Sequence, residues 1–291
     1  MNDTRTPDVQ GANVQKKKNS MVQRIITGLI LVTALALFLW LGGWYFAAAL
    51  CLCTVVALQE ELAALTAGGH HPVRWTSYAG LIISAPLMMF YPSLTIAPVI
   101  LLLGLCVLLQ VMRRKEPELL DVLVSVMPMI TVVLPAMCLM NVLDTQPHSL
   151  QLTLLIMVFG IAVGGDTFAY FVGSAVGGPK LCPSISPNKT IAGSLGGLAG
   201  SVLVAFAIGR IAAAAAPDAV MHTPVWGDLL VGLIGGCAAQ IGDLFASMVK
   251  RHCKVKDFGT IFPGHGGMMD RLDSIFFTAI VVYCYRLILL A

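Results

Sequence analysis

Long apolar runs separated by short polar breaks dominate this chain of 291 residues. A helix that crosses a bilayer needs about 20 apolar residues, because the lipid core offers no partner for an unpaired backbone group. Nine stretches meet or approach that length: 23–42, 44–65, 76–91, 94–112, 121–143, 150–176, 193–215, 227–249 and 272–290. The pattern predicts an all-α, polytopic integral membrane helix bundle of about nine transmembrane helices. The count falls to eight if segment 76–91, short and interrupted by Pro86, is tilted, kinked or re-entrant. No internal repeat is visible. Residues 1–20 are polar, end in Lys16-Lys17-Lys18, and read as a disordered basic tail before a single transmembrane domain, 21–291. The apolar run that follows is long enough to span, so the tail is not read as a cleaved signal peptide.

Charge gives the orientation. Lys16, Lys17, Lys18 and Arg24 precede the first segment. Arg74 falls in the second loop, Arg113, Arg114 and Lys115 in the fourth, and Lys180 and Lys189 in the sixth. Lys250, Arg251, Lys254, Lys256 and Arg271 fall in the eighth. The odd loops, around Gly43, Ser93, Thr145 and Met221, contain no Lys or Arg. The positive-inside rule then puts the N-terminus and the even loops in the cytoplasm and the C-terminus outside. Arg286 is expected to snorkel to the outer surface; the sequence offers no partner for Arg210.

Composition agrees with the span count. Charged residues make up 11% of the chain and hydrophobic ones 57%, against about 25% charged in a soluble domain. The net charge of +3 is small, and no nucleic-acid partner is expected. The eight Cys form no disulfide or zinc pattern and read as small packing residues.

Candidate chemistry lies where acids interrupt apolar segments: Glu60-Glu61, Asp166 and Asp243. A charge at the bilayer centre costs about 2.5–3.5 kcal/mol on insertion scales, so such residues face the bundle interior. All are displaced toward the cytoplasmic ends of their segments. Asp243, for example, lies seven residues, or about 10 Å, before Lys250 at 1.5 Å per residue. Glu60-Glu61 is read equally as an interfacial pair. Asp243, Ser247 and Lys250 share a helical face, as do Asp166, Tyr170 and Gly173. Small residues on both helices allow close approach and bring the two aspartates toward one cavity.

The loop after Asp243 is the richest stretch. Asp270 and Asp273 stand where the last segment begins, fitted either to cap that helix or to face Asp243 as a carboxylate pair. Carboxylates with waters and substrate phosphates are the usual Mg²⁺ environment. Pro263-Gly264-His265-Gly266-Gly267 offers backbone NH groups to phosphate oxygens. The sixth loop adds Ser186-Pro187-Asn188-Lys189-Thr190, a second phosphate-binding candidate.

On these residues the chain resembles the phosphatidate cytidylyltransferases, or CDP-diglyceride synthases. The pattern SxxKRxxxxKD then PGHGGxxDRxD is met by Ser247, Lys250, Arg251, Lys256, Asp257, Pro263, Gly264, His265, Gly266, Gly267, Asp270, Arg271 and Asp273. The upstream GDTFAYFVG and SPNKT are also similar to that family, so the detailed resemblance covers about 160–275, the expected catalytic region. Two positions depart from it: Ala192 stands where an acid is common, and Ser174 where Arg is common.

The resemblance implies a Mg²⁺-dependent transfer from CTP to phosphatidate, with a second cation admitted, giving CDP-diacylglycerol for phospholipid synthesis. It implies Asp243 and Asp270 as first metal ligands and Asp273 and Asp166 as further ones. Lys250, Arg251, Lys256 and Arg271 would hold phosphates. Ser247, His265, Gly266 and Gly267 would line the site, and Ser186, Lys189 and Thr190 would contact nucleotide or headgroup. A bacterial inner membrane, an active site facing the cytoplasm and a homodimer are compatible with it. The competing reading from another class is a secondary transporter, which would set its site near the midplane between paired repeats. A family member with another lipid acceptor or no activity is a third.

Overall fold

The computed structural model describes residues 26–91, 97–216 and 223–290. The basic tail expected over 1–20 lies outside them. Helices α1 (Ile26–Leu41), α2 (Gly43–Ala67), α3 (Arg74–Phe90) and α4 (Ala97–Met112) come first. A nearly continuous rod follows, made of α5 (Leu119–Pro128), a π-helical turn (Met129–Val133) and α6 (Leu134–Val142). The wide turn sits between Pro128 and Pro135, where a proline removes a donor and crowds the carbonyl four residues back.

Then come α7 (His148–Val176), a short antiparallel hairpin of β1 (Lys180–Cys182) and β2 (Ser186–Thr190), α8 (Ile191–Ala215), α9 (Val225–His252) and α10 (Met269–Leu290). The fold is an all-α polytopic membrane bundle, the hairpin being its one named sheet among the described residues. Among the described residues, six rods are long and apolar enough to cross a membrane: α2, α5 to α6, α7, α8, α9 and α10. α1, α3 and α4 are shorter apolar helices of 16 to 17 residues, with Pro86 inside α3. The core is apolar and continuous, from Leu58 and Leu62 on α2 through Met137 and Leu139 to Leu154, Ile161 and Phe276.

Two helix ends differ from the apolar pattern, and both matter for the site. α9 runs on to His252, so Lys250, Arg251 and His252 form its last turn, where cations complement the helix dipole. α10 begins at Met269 rather than 272, which draws Asp270 and Arg271 into its first turn and leaves Asp273 just beyond it. Polar residues continue both helices past the apolar stretch that hydropathy detects.

α7, α8, α9 and α10 pack on one another, and α10 also touches α6. Glycines set the α7–α8 spacing. A Cβ on Gly193 would sit 2.8 Å from the Ala169 carbonyl oxygen and 3.2 Å from the Gly173 Cα. Arg210, unexplained by sequence, donates to Asp228 Oδ2 at 2.6 Å and to the Thr223 carbonyl at 2.5 Å, joining α8 to α9. Arg286 donates from Nε to Thr145 Oγ1 at 2.8 Å, in the α6–α7 loop.

The even connections meet at one end of the bundle. His70 Nε2 lies 2.8 Å from His252 Nε2, tying the α2–α3 loop to the end of α9. Arg114, after α4, donates to the His71 carbonyl at 2.9 Å and pairs with Asp121. Arg251 donates to the Ile185 carbonyl in the hairpin at 3.4 Å. All four basic loops therefore share one end.

Candidate active site

At that end, α7, the hairpin and α8 enclose a cavity of about 560 Å³. Its lining includes Asp166, Tyr170, Lys180, Asn188, Lys189, Thr190, Ser194 and Gln240. The volume is in the range of small-molecule sites, roughly 300–1,000 Å³. Thr190 ends β2 and caps α8, its hydroxyl accepting from the Gly193 N–H at 3.0 Å. That cap turns the chain and leaves the preceding Lys189 beside the cavity. Gln240 on α9 donates to the Ser194 carbonyl at 2.9 Å and so ties the cavity floor to the helix bearing Asp243.

Asp243, partly exposed, forms an ion pair with Lys189. Two further carboxylates lie within electrostatic reach of it. Asp166 feels Asp243, Lys189 and Arg271, and Asp273 feels Asp243, Lys250 and Asp166. Helices α7, α9 and α10 and the hairpin thus converge three acids and three cations. Arg271 is exposed in the first turn of α10, and Ser247 lies one helical turn beyond Asp243.

Asp270 is committed elsewhere. Its side chain is 3% exposed, Oδ1 accepts from Lys250 Nζ at 2.6 Å, and Oδ2 accepts from the backbone N–H groups of Phe258 and Gly267 at 2.9 Å each. Sequence reasoning weighed helix capping against a carboxylate pair with Asp243. In the fold Asp270 holds the loop, and Asp273 and Asp166 are the acids brought toward Asp243. Lys250 also lies over the Phe258 ring, 5.3 Å from its centroid.

The PGHGG segment is a tight turn. Phe262 N–H donates to the Gly266 carbonyl and His265 N–H to the Phe262 carbonyl, each at 2.9 Å. Gly264 and Gly266 have φ of 77° and 81°, a region that L side chains rarely enter. Ser186 lies in β2, and Lys256 is exposed in the loop after α9.

Sequence reasoning left Glu60 and Glu61 as an interfacial pair or buried acids. Both are buried. Glu60 Oε2 accepts from the Met269 N–H at 2.8 Å, and Glu61 has both oxygens 3.0 Å from the Thr131 hydroxyl in the π turn. The signal available was an acid pair inside an apolar helix; its partner, 209 residues away, was not.

The chain matches the cytidylyltransferase family over residues 22–289. It belongs to that family. A phosphatidate cytidylyltransferase of Synechocystis is 31% identical over 297 aligned residues, 92% of this chain and 97% of the relative. One from Brucella abortus is 39% identical over 133 residues, 46% of each chain. One from Bacillus subtilis is 42% identical over 118 residues, 40% of this chain and 41% of the relative. This chain therefore spans about half the length of the Brucella relative it matches and nearly all of the Synechocystis one. The family match also embraces α2, so Glu60 lies within it along with the loop after α9.

Among the described residues, no three His, Cys, Asp or Glu side chains stand close enough to hold a metal ion by themselves. Mg²⁺ does not require that many, since it is usually bound by one or two carboxylates completed by waters and substrate phosphates. Asp243 with Asp166 or Asp273 supplies such a hard oxygen pair, so the residues fit this ion.

Proposed function

We propose that this protein transfers the cytidylyl group of CTP to phosphatidate, forming CDP-diacylglycerol and pyrophosphate, at the cytoplasmic face of the bacterial inner membrane. The observation that carries the reading is the convergence of Asp166, Asp243 and Asp273 with Lys189, Lys250 and Arg271 beside a ligand-sized cavity. This occurs in a chain of the cytidylyltransferase family.

The chemistry needs little from a general base. A phosphate monoester has its second pKa near about 6, so phosphatidate is already largely dianionic at neutral pH. The obstacle is bringing that anion to the α-phosphorus of another polyanion. Lys189, Lys250, Arg251, Lys256 and Arg271 lower this repulsion and fix the phosphates for in-line attack. Within the 263–267 turn, the Gly264 and Gly266 N–H groups would add donors without side-chain obstruction. Asp243, with Asp166 or Asp273, would hold Mg²⁺, which supplies charge neutralisation at the phosphates when bound. Asp270 contributes as the group that keeps Lys250 and the loop in place.

The attacking oxygen belongs to the lipid phosphate, and pyrophosphate leaves from the α-phosphorus of CTP that it attacks, so no covalent protein intermediate is required. A site at the end of the bundle lets a lipid headgroup enter from the adjoining leaflet while the nucleotide arrives from water.

Expression in a bacterium depleted of its own CDP-diacylglycerol synthesis tests the reading. The wild-type gene is expected to restore growth and the CDP-diacylglycerol pool, and Asp243→Asn is expected not to. Membrane-inserted wild-type protein that restores neither contradicts it.

A further inference from the structure

We propose that Glu60, on α2, is a positioning residue that fixes the loop over residues 253–268, and with it the start of α10, in its substrate-holding shape. The inference rests on the reading that this loop binds substrate phosphates.

Three observations carry it. Glu60 is 8% exposed, and its Oε2 accepts from the N–H of Met269, the first residue of α10, at 2.8 Å. A carboxylate there satisfies one of the orphan amides of the helix start and complements its dipole. The loop is also shaped around this carboxylate. A Cβ on Gly259 would fall 2.1 Å from Glu60 Oε1, and one on Gly267 would fall 2.4 Å from Oε2. Neither glycine has a positive φ, so backbone conformation does not demand glycine at these positions. Room for the Glu60 side chain does.

The third observation is the opposing clamp. Asp270 Oδ2 accepts from Gly267 N–H and Phe258 N–H, so Gly267 is held between a carboxylate of α10 and one of α2. Glu61, against Thr131, pins the rotation of α2 and thereby the aim of Glu60. Arg271 follows Met269 by two residues in the same helical turn. Fixing the Met269 amide therefore fixes the direction in which Arg271 leaves the bundle.

Full-length protein purified in detergent supplies the test, with trypsin cleavage after Lys254 and Lys256 mapped by mass spectrometry. Cleavage in the 113–115 loop serves as the internal control. Losing a cap-type bond is expected to raise the open population, and with it cleavage at Lys254 and Lys256, about tenfold in Glu60→Ala. kcat/KM is expected to fall by about tenfold or more alongside it, with cleavage at 113–115 unchanged. Glu60→Gln keeps an acceptor oxygen and is expected to stay within about threefold of wild type in both measurements. Gly259→Ala should reproduce the loosening. The double variant Glu60→Ala/Gly259→Ala should be no worse than Glu60→Ala alone, because the obstructing carboxylate is gone.

Unchanged loop cleavage in folded Glu60→Ala overturns the proposal, as does a Glu60→Gln variant as defective as Glu60→Ala. If Glu60→Ala does not fold, Gly259→Ala decides: cleavage equal to wild type sinks the idea, and faster cleavage supports it. Because cleavage is read without substrate, a wild-type protein that lacks turnover contradicts the proposed function and leaves this result standing.

Discussion

Removing the Asp270 carboxylate should cost far more stability than removing the Asp243 carboxylate, although both stand in the same acidic and basic cluster. Asp270 is 3% exposed in its side chain and receives three hydrogen bonds, from Lys250 Nζ, Phe258 N–H and Gly267 N–H. Asp270→Ala leaves Lys250, whose side chain is 13% exposed, without its counter-charge. Breaking a buried pair on one side costs about 3–5 kcal/mol. Asp270→Asn keeps one acceptor for the two amides but turns an NH₂ toward the Lys250 ammonium, a loss of about 1.5–3 kcal/mol. Asp243 differs: it is 27% exposed, its partner Lys189 is 29% exposed, and a pair so open to solvent contributes about 0–1 kcal/mol. At about 2–4 °C per kcal/mol for a chain of this size, Asp270→Ala should lower Tm on the order of 10 °C and Asp243→Ala by under about 4 °C. Thermal unfolding of purified variants, followed by tryptophan fluorescence in one detergent, measures both. Equal shifts for the two alanine variants would refute the assignment of Asp270 as the group that holds the loop.

Three other outcomes follow from the same geometry. Asp243→Asn should abolish turnover while Tm stays near wild type; near-normal activity at limiting Mg²⁺ removes Asp243 from the metal site. Arg271→Lys keeps charge but loses the planar fork, and should lower kcat/KM for CTP or phosphatidate about tenfold, about 1.4 kcal/mol, with normal membrane insertion; full activity at sub-saturating substrates would leave Arg271 a helix-start residue only. Thr260→Cys, in an exposed part of the loop, should escape an impermeant reagent in intact cells and react once the membrane is opened. The background at Cys253 should be low, since burial and then the Glu61 charge raise its thiol above the ordinary value. Labelling of Thr260→Cys from outside would reverse the topology.

The membrane class was legible in the sequence because lipid forces each crossing segment to satisfy its own backbone, which leaves long apolar runs. The even loops could be grouped from Lys and Arg alone, and they do meet at one end through His70–His252, Arg114–His71 and Arg251–Ile185. The approach of Asp166 to Asp243 was expected from small residues on α7 and α9, the two helices that carry them. What escaped were long-range polar contacts. Glu60 and Met269 are 209 residues apart, and Arg210 finds Asp228 across a helix pair. Asp270 looked like a partner for Asp243 because both flank one loop; burial and two backbone amides turn it inward. The hairpin was read as a phosphate-binding loop without strands, since three- and five-residue strands with a proline give no period to detect.

The most direct test of the account gives purified protein phosphatidate vesicles and CTP labelled at either the α- or the γ-phosphorus. With both Mg²⁺ and phosphatidate present, α-label should move into the lipid fraction as CDP-diacylglycerol and γ-label should appear in pyrophosphate. Omitting either one should stop both transfers. Folded wild-type protein that leaves CTP intact, or that releases γ-label as orthophosphate with no label in lipid, would contradict the assignment of this site to cytidylyl transfer.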